Sequence, residues 1–210
     1  MRTLVFGIFL MTLCFLNSCS IGRTQFKLRN YEFAFEHPME KISLKDANWL
    51  LMPMSVYAYG VHEKETDAIL KQTLTKHLNE RLHIANTLKD IDGKHLIFEI
   101  GFDDIDSQLG YLSSNTKLDY VISTKVVYLD RDNGPKIKVK ANELLGDRYV
   151  SPCKIYLKVH DLKTEKVIFN GSCLSYVFDD DYQNNKSLVS QTSRSASKST
   201  MARFLKQIIP

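Results

Sequence analysis

Four cysteines, six histidines and two aspartate clusters are the residues of this 210-residue sequence whose types could do chemistry. The histidines are His37, His62, His77, His83, His95 and His160. No two stand i,i+4 on a helix or i,i+2 on a strand, the spacings that aim two imidazoles at one metal. His77 and His83 fall in one helical stretch, but six residues apart they point about 120° away from each other. Asp103, Asp104 and Asp106 lack the glycine and the distal glutamate of a calcium loop and read as cap and turn residues. Asp179, Asp180 and Asp181 read as a solvated acidic loop, with a basic partner as the alternative. There is no G-x-S-x-G, phosphate-binding or dinucleotide fingerprint. The expectation is a non-enzyme with no catalytic residue, metal, cofactor or small-molecule substrate; a hydrolase site assembled from distant segments stays as an alternative.

The cysteines say more. Cys14 and Cys19 lie in the amino-terminal stretch, where Arg2 precedes an apolar run over residues 4–16. A bilayer span takes roughly 20 apolar residues, so this run reads as a secretory signal and not a membrane helix. Its last four residues, Leu16, Asn17, Ser18 and Cys19, resemble the lipobox of bacterial lipoproteins, with Asn17 an unusual occupant of its place. The resemblance implies a diacylglyceryl group on the Cys19 sulfur, cleavage before Cys19, and a further acyl chain on the freed amine. Ser18 suits a peptidase pocket that takes small residues. An ordinary cleaved signal with an incidental cysteine is the alternative. The chain then divides into a signal at 1–18, a lipidated tether at 19–48 and one α/β domain at 49–210.

Export leaves Cys153 and Cys173 in a compartment where disulfides persist, either bonded or as two small buried hydrophobes. The formal charge is +4 and loses one with Arg2. So mild an excess, on an exported chain, argues against a nucleic-acid binder. Apolar content of 44% allows a packed core.

These residues need elements to position them. Tyr31, Phe33 and Phe35 alternate with Glu32, Ala34 and Glu36, a short edge strand within the tether. Residues 49–59 are apolar enough for a buried first strand with an irregularity at Pro53. Ile69, Leu70, Leu74, Leu78 and Leu82 place one apolar stripe on a helix over 66–82, capped by Thr66 or Asp67. A second strand follows at 96–100, then a short helix, capped by Asp103 or Asp104, that carries Ile105, Leu109 and Leu112. Residues 118–129 are apolar on both alternating faces, as a central strand should be. Residues 136–141 alternate lysine with Ile137, Val139 and Ala141. Residues 186–209 read as a closing helix.

Between these last two lies a hairpin, 153–161 and 166–178. Setting Val159 against Val167, Leu157 against Phe169 and Cys153 against Cys173 puts both apolar sets on one face. The other face then carries Lys154, Tyr156, Lys158, Asn170, Leu174 and Tyr176, which Lys136, Lys138 and Lys140 could extend. Tyrosines among lysines suit contact with an acidic partner, and a solvated or covered sheet face is the plainer reading.

The element order suggests a two-layer α/β sandwich: a mixed sheet packed by a long helix after the first strand and by a closing helix. WLLMPMSV, LDYVISTKVVYL, KVHDLKTEKVIFNG and the closing helix resemble small envelope lipoproteins with a TolB-N-terminal-like domain, the LpoB and CsgG group. The turn DLKTEKV resembles D-x-x-T-G-x-V there, with Glu165 in the glycine place. The resemblance implies action by contact: a lipoprotein on the periplasmic side of the outer membrane that binds an envelope protein partner as a regulator or assembly factor. Ser20, where inner-membrane retention commonly uses Asp, is compatible with that membrane. A CsgG-like secretion-channel subunit is the alternative, disfavoured by Lys154 and Lys158 on the outward face of the long hairpin.

Overall fold

A computed structural model describes residues 29–36, 42–44, 46–57, 64–95, 101–128, 149–178 and 193–209. The expected lipobox and lipidation site, Leu16 through Cys19, lie outside them, as do the strands expected at 96–100 and 136–141 and the first residues of the closing helix.

Everything is built around one strand. β5 (Tyr120–Tyr128) is buried along most of its length on both faces, as apolar residues at both of its ends and on both alternating faces require, with Ser123, Thr124 and Lys125 between them. On one side it pairs in parallel with β2 (Trp49–Leu51) and β3 (Ser55–Tyr57). On the other it pairs antiparallel with β6 (Tyr149–Asp161), and β6 pairs with β7 (Lys166–Phe178). With β1 (Asn30–Phe35) and β4 (Leu82–Ile84) at the edges, the order is β1-β7-β6-β5-β2-β4. This is the mixed α/β sheet expected.

The first strand is two pieces. Leu51 faces Ile122 and Ser55 faces Lys125, so β2 and β3 use one residue more than β5 over the same length. The exposed Pro53, which has no N–H to give a ladder, sits in that extra step. Parallel β2 and β4 need a crossover, which α1 (Lys64–Leu78) supplies. Thr66, Leu70, Leu74 and Leu78 form its buried stripe. The helix starts two residues before the expected position, so Thr66 is not a cap; its hydroxyl meets the Ser197 hydroxyl at 2.7 Å in the core. Asp67 pairs with Lys71, 2.5 Å away. Nor does the helix reach Leu82. Asn79 adopts φ 50°, a left-handed conformation that asparagine tolerates, and Leu82 opens β4 instead.

α3 (Ser193–Ile208) lies beside α1, and the two cover one face of the sheet. There Leu70, Leu74, Leu78, Phe204, Leu205 and Ile208 pack on Trp49, Ile122, Ile155, Leu157, Val159 and Phe169. On the other face a 3-10 turn (Ile105–Gln108) and α2 (Leu109–Asn115) seal a smaller core. Ile105, Leu109 and Leu112 meet Leu50, Met52, Val121 and Leu162 in it. Asp104 holds the cap position of that turn but makes no capping bond, and Asp103 reaches Lys125 instead.

The expected tether joins the domain early. β1 pairs with β7 through all six of its residues, turning Phe33 against Phe204 and Phe35 against Phe169. Gly171 makes room: a Cβ there would lie 2.9 Å from atoms of both Phe169 and Phe35.

The hairpin register differs from the expected one. Val159 faces Phe169, Leu157 faces Gly171, Ile155 faces Cys173 and Cys153 faces Ser175. An irregularity between Val159 and His160 lets β7 gain a residue, Ile168, over β6. Together with the turn, this displaces the pairing by two. A two-residue slip keeps every side chain on its face. Cys153 and Cys173 therefore share the buried face but are diagonal, not opposed, and both are free thiols.

Glu165, in the turn, takes φ 54° where the resembled pattern has glycine. Left-handed backbone costs a residue with a Cβ roughly 1–2 kcal/mol. Glu165→Gly should therefore raise unfolding stability by about 1 kcal/mol. Urea denaturation checks it, and an unchanged or lower midpoint would refute the strain.

Candidate functional site

Alternation along β6 sends Cys153, Ile155, Leu157 and Val159 into the helix-covered core and Lys154, Tyr156, Lys158 and His160 to the opposite face. The first three of this second set are half-buried. Phe102 organises them, held by its amide donating to Ser55 Oγ at 2.9 Å. Lys158 Nζ lies 4.8 Å and Lys125 Nζ 5.7 Å from its ring centroid, and Tyr156 packs 6.3 Å away. Lys154 Nζ sits 4.7 Å from the Tyr156 ring. Each cation–ring contact contributes about 0.5–1 kcal/mol at a solvent-facing site. One acid joins the set, Asp103, at 2.7 Å from Lys125. The result is a patch of three ammonium groups resting on two aromatic rings.

Two expected members do not belong to it. Leu174 is 8% and Tyr176 6% exposed, and the Tyr176 hydroxyl donates to Glu32 of β1. The alternation put them on the correct face, but the added strand brings Glu32 to the tyrosine. Lys136, Lys138 and Lys140 lie outside the described residues. Phe102 and Lys125 were missed, because only the tertiary fold brings a loop aromatic over β6. Asn170, on the same face, engages Glu36.

His160 departs from a surface or boundary role. It is fully buried, with Nε2 2.9 Å from Asp106 Oδ1 and Nδ1 without a hydrogen-bond partner. The Ser123 hydroxyl, on the neighbouring strand and the same face, is also buried and unpartnered. Of the six histidines, His37 and His62 lie outside the described residues, His77 and His95 are exposed and His83 is half-buried. Among the described residues no group of three or more His, Cys, Asp or Glu side chains could hold a metal.

A polar seam crosses the main core. Arg29 donates to Ser175 Oγ at 2.9 Å, Ser175 meets Thr200 at 2.5 Å, and Thr200 donates to the Ala196 carbonyl at 2.6 Å. Beside it, burial pushes the Cys153 thiol up to about 12, and Cys173 likewise. Such thiols are unreactive at neutral pH. Among the described residues no helix is long and apolar enough to cross a membrane.

No family model and no curated protein matches this chain. Among solved structures it is similar to the PelC dodecamer from Paraburkholderia phytofirmans, at 12% identity and a TM-score of 0.44, covering 86% of this chain and 99% of that one. A substituted form of the same dodecamer aligns at 11% identity and a TM-score of 0.45, covering 86% and 97%.

Burial holds the His160 imidazole below its ordinary value of 6.5; Asp106 opposes the shift and nearby Lys158 adds to it. A depressed histidine favours the fold while neutral. Its contribution is complete above the unfolded value and is lost as pH falls through the folded one. Stability should therefore decline as pH falls below the ordinary histidine value of 6.5, and His160→Gln should flatten that decline. Denaturation midpoints at several pH values decide it: parallel curves for the two proteins would exclude His160 as the source.

Proposed function

We propose that this chain is an outer-membrane lipoprotein facing the periplasm, held by lipid on Cys19, that binds an envelope protein as a regulator or assembly factor. The observation that carries the reading is the order of Arg2, the apolar run, Ser18 and Cys19. That order sets a thiol where a lipid-transfer and cleavage pathway would need it.

The fold offers support of a second kind. β1 begins at Asn30. The chain from Cys19 to Arg29 can therefore span at most about 36 Å, at up to 3.6 Å per residue. A domain so tethered would stay within reach of the membrane and meet partners there at raised effective concentration. Its contact surface would be the patch of Lys154, Tyr156, Lys158 and Lys125, with the buried Phe102 ring beneath them. The half-buried Tyr156 ring gives area at low entropy cost, and the lysines steer an acidic partner.

Cys19→Ala should abolish lipidation and processing, and the intact mass of the unaltered mature protein should exceed that of its bare chain by the acyl groups. A bare Cys19 in that mass would end the lipoprotein reading. For the patch, Lys154→Glu, Tyr156→Ala and Lys158→Glu together should cut recovery of a partner crosslinked in living cells by about tenfold or more, while the variant still melts cooperatively. Undiminished recovery would remove this face from the interaction.

A further inference from the structure

The net positive charge of this chain falls on the two helices that cover the sheet. α3 carries Arg194, Lys198, Arg203 and Lys206 and no acid over its 16 residues, while α1 carries Lys64, Lys71 and Lys76 against Glu65 and Asp67. The pair therefore holds seven cations and two anions, a net of +5, whereas the whole chain nets +4. All other residues together are thus slightly acidic. Both acids of α1 are engaged, Asp67 by Lys71 and Glu65 by Lys198 at 2.9 Å. Lys64, Lys76, Arg203 and Lys206 are exposed and have no acidic partner among the described residues.

The chain also enters the fold on this side. Arg29 bonds to Ser175, which bonds to Thr200 of α3, and the guanidinium of Arg203 lies 5.9 Å from the Tyr31 ring. Arg23 and Lys27 fall in the nine residues between Cys19 and Arg29.

We infer that the outer surface of α1 and α3 is a membrane-facing surface that binds anionic phospholipid headgroups. The inference rests on the lipid-anchor reading for its orientation: a lipid at Cys19 is joined to the fold at Arg29, on the sheet face that α3 covers and opposite the Lys154 patch. The charge then acts within a screening length of about 8 Å at physiological salt. Each Lys or Arg at an anionic leaflet raises affinity about fivefold. The surface has no large exposed apolar side chain among the described residues of the two helices, so attachment through it is electrostatic and reversible. Two faces result, helices toward lipid and the lysine–aromatic patch toward protein.

The test uses the mature chain from residue 19 with Cys19→Ser, so that no acyl group contributes. It is mixed at low salt with vesicles of phosphatidylglycerol and phosphatidylcholine in equal parts, or of phosphatidylcholine alone, and sedimented. Binding should be confined to the anionic vesicles. Arg203→Glu with Lys206→Glu should weaken it about tenfold or more, while Lys89→Glu with Lys94→Glu, an equal change of charge away from the helices, should leave it near the unaltered level. Equal loss in both double variants, no loss in the first, or binding to uncharged vesicles would overturn the inference. The unaltered chain gives a reading that needs no variant to fold: association persisting in about 1 M salt, where screening acts over about 3 Å, would equally overturn it. Failure here leaves the mass of the lipidated protein untouched, so the two readings fall separately.

Discussion

The constraint on which the structure depends is the burial of β5 from both sides at once. Its nine residues hold a parallel ladder on one edge and an antiparallel one on the other. Ile122 and Val126 fill the main core while Val121 enters the smaller one. A one-residue shift of this strand would exchange the two sets and empty both cores together. Trp49, fully buried and stacked on Tyr120 at 4.5 Å, fixes where that ladder starts. The functional face inherits this precision: Lys125 reaches Phe102 only because Ser55, which holds the Phe102 amide, is registered opposite it.

The polar groups inside the main core have a related use. Thr66 with Ser197, and Ser175 with Thr200, are hydroxyl pairs linking helix to helix and helix to sheet. Buried hydroxyls cost free energy unless paired, so each pair penalises other settings of α1 and α3 along their axes. Small residues in the first half of α3, among them the fully buried Ala196 and Ser197, allow the close approach these bonds need. The helices are thus positioned by directional bonds as well as by their apolar stripes, and the basic outer surface is held with them.

Much of the architecture was legible, for reasons that differ by element. The two-sided apolar run of β5, the i,i+4 stripe of α1 and the alternation at Tyr31, Phe33 and Phe35 are periodic signals set by burial. The hairpin shows where periodicity stops. A displacement by two residues changes every partner and no face, so alternation could not distinguish Cys153 facing Cys173 from Cys153 facing Ser175. The end of α1 was hidden because Leu82 continues the helical spacing, whereas the conformation of Asn79 decides the outcome. The patch was half legible: β6 announces Lys154, Tyr156 and Lys158. The ring of Phe102 above them and the β1 glutamate beside Tyr176 come from pairings far apart in the chain. His160 was the least readable residue, since its burial depends on a 3-10 turn 54 positions away in sequence.

The placement of β1 has a mechanical consequence. Tension applied through residue 29 along the strand axis is shared by all six pairs from Asn30–Tyr176 to Phe35–Gly171, which must slip together. The same tension across the strand opens the Asn30 end first and peels the pairs in turn. The Glu36 amide, bonded to the Asn170 carbonyl at 3.0 Å, and the Phe35 ring set over Gly171 brace the far end against either motion. The domain is therefore stiffest to a pull directed along β1, and it yields most easily to one that lifts that strand away from the edge of the sheet.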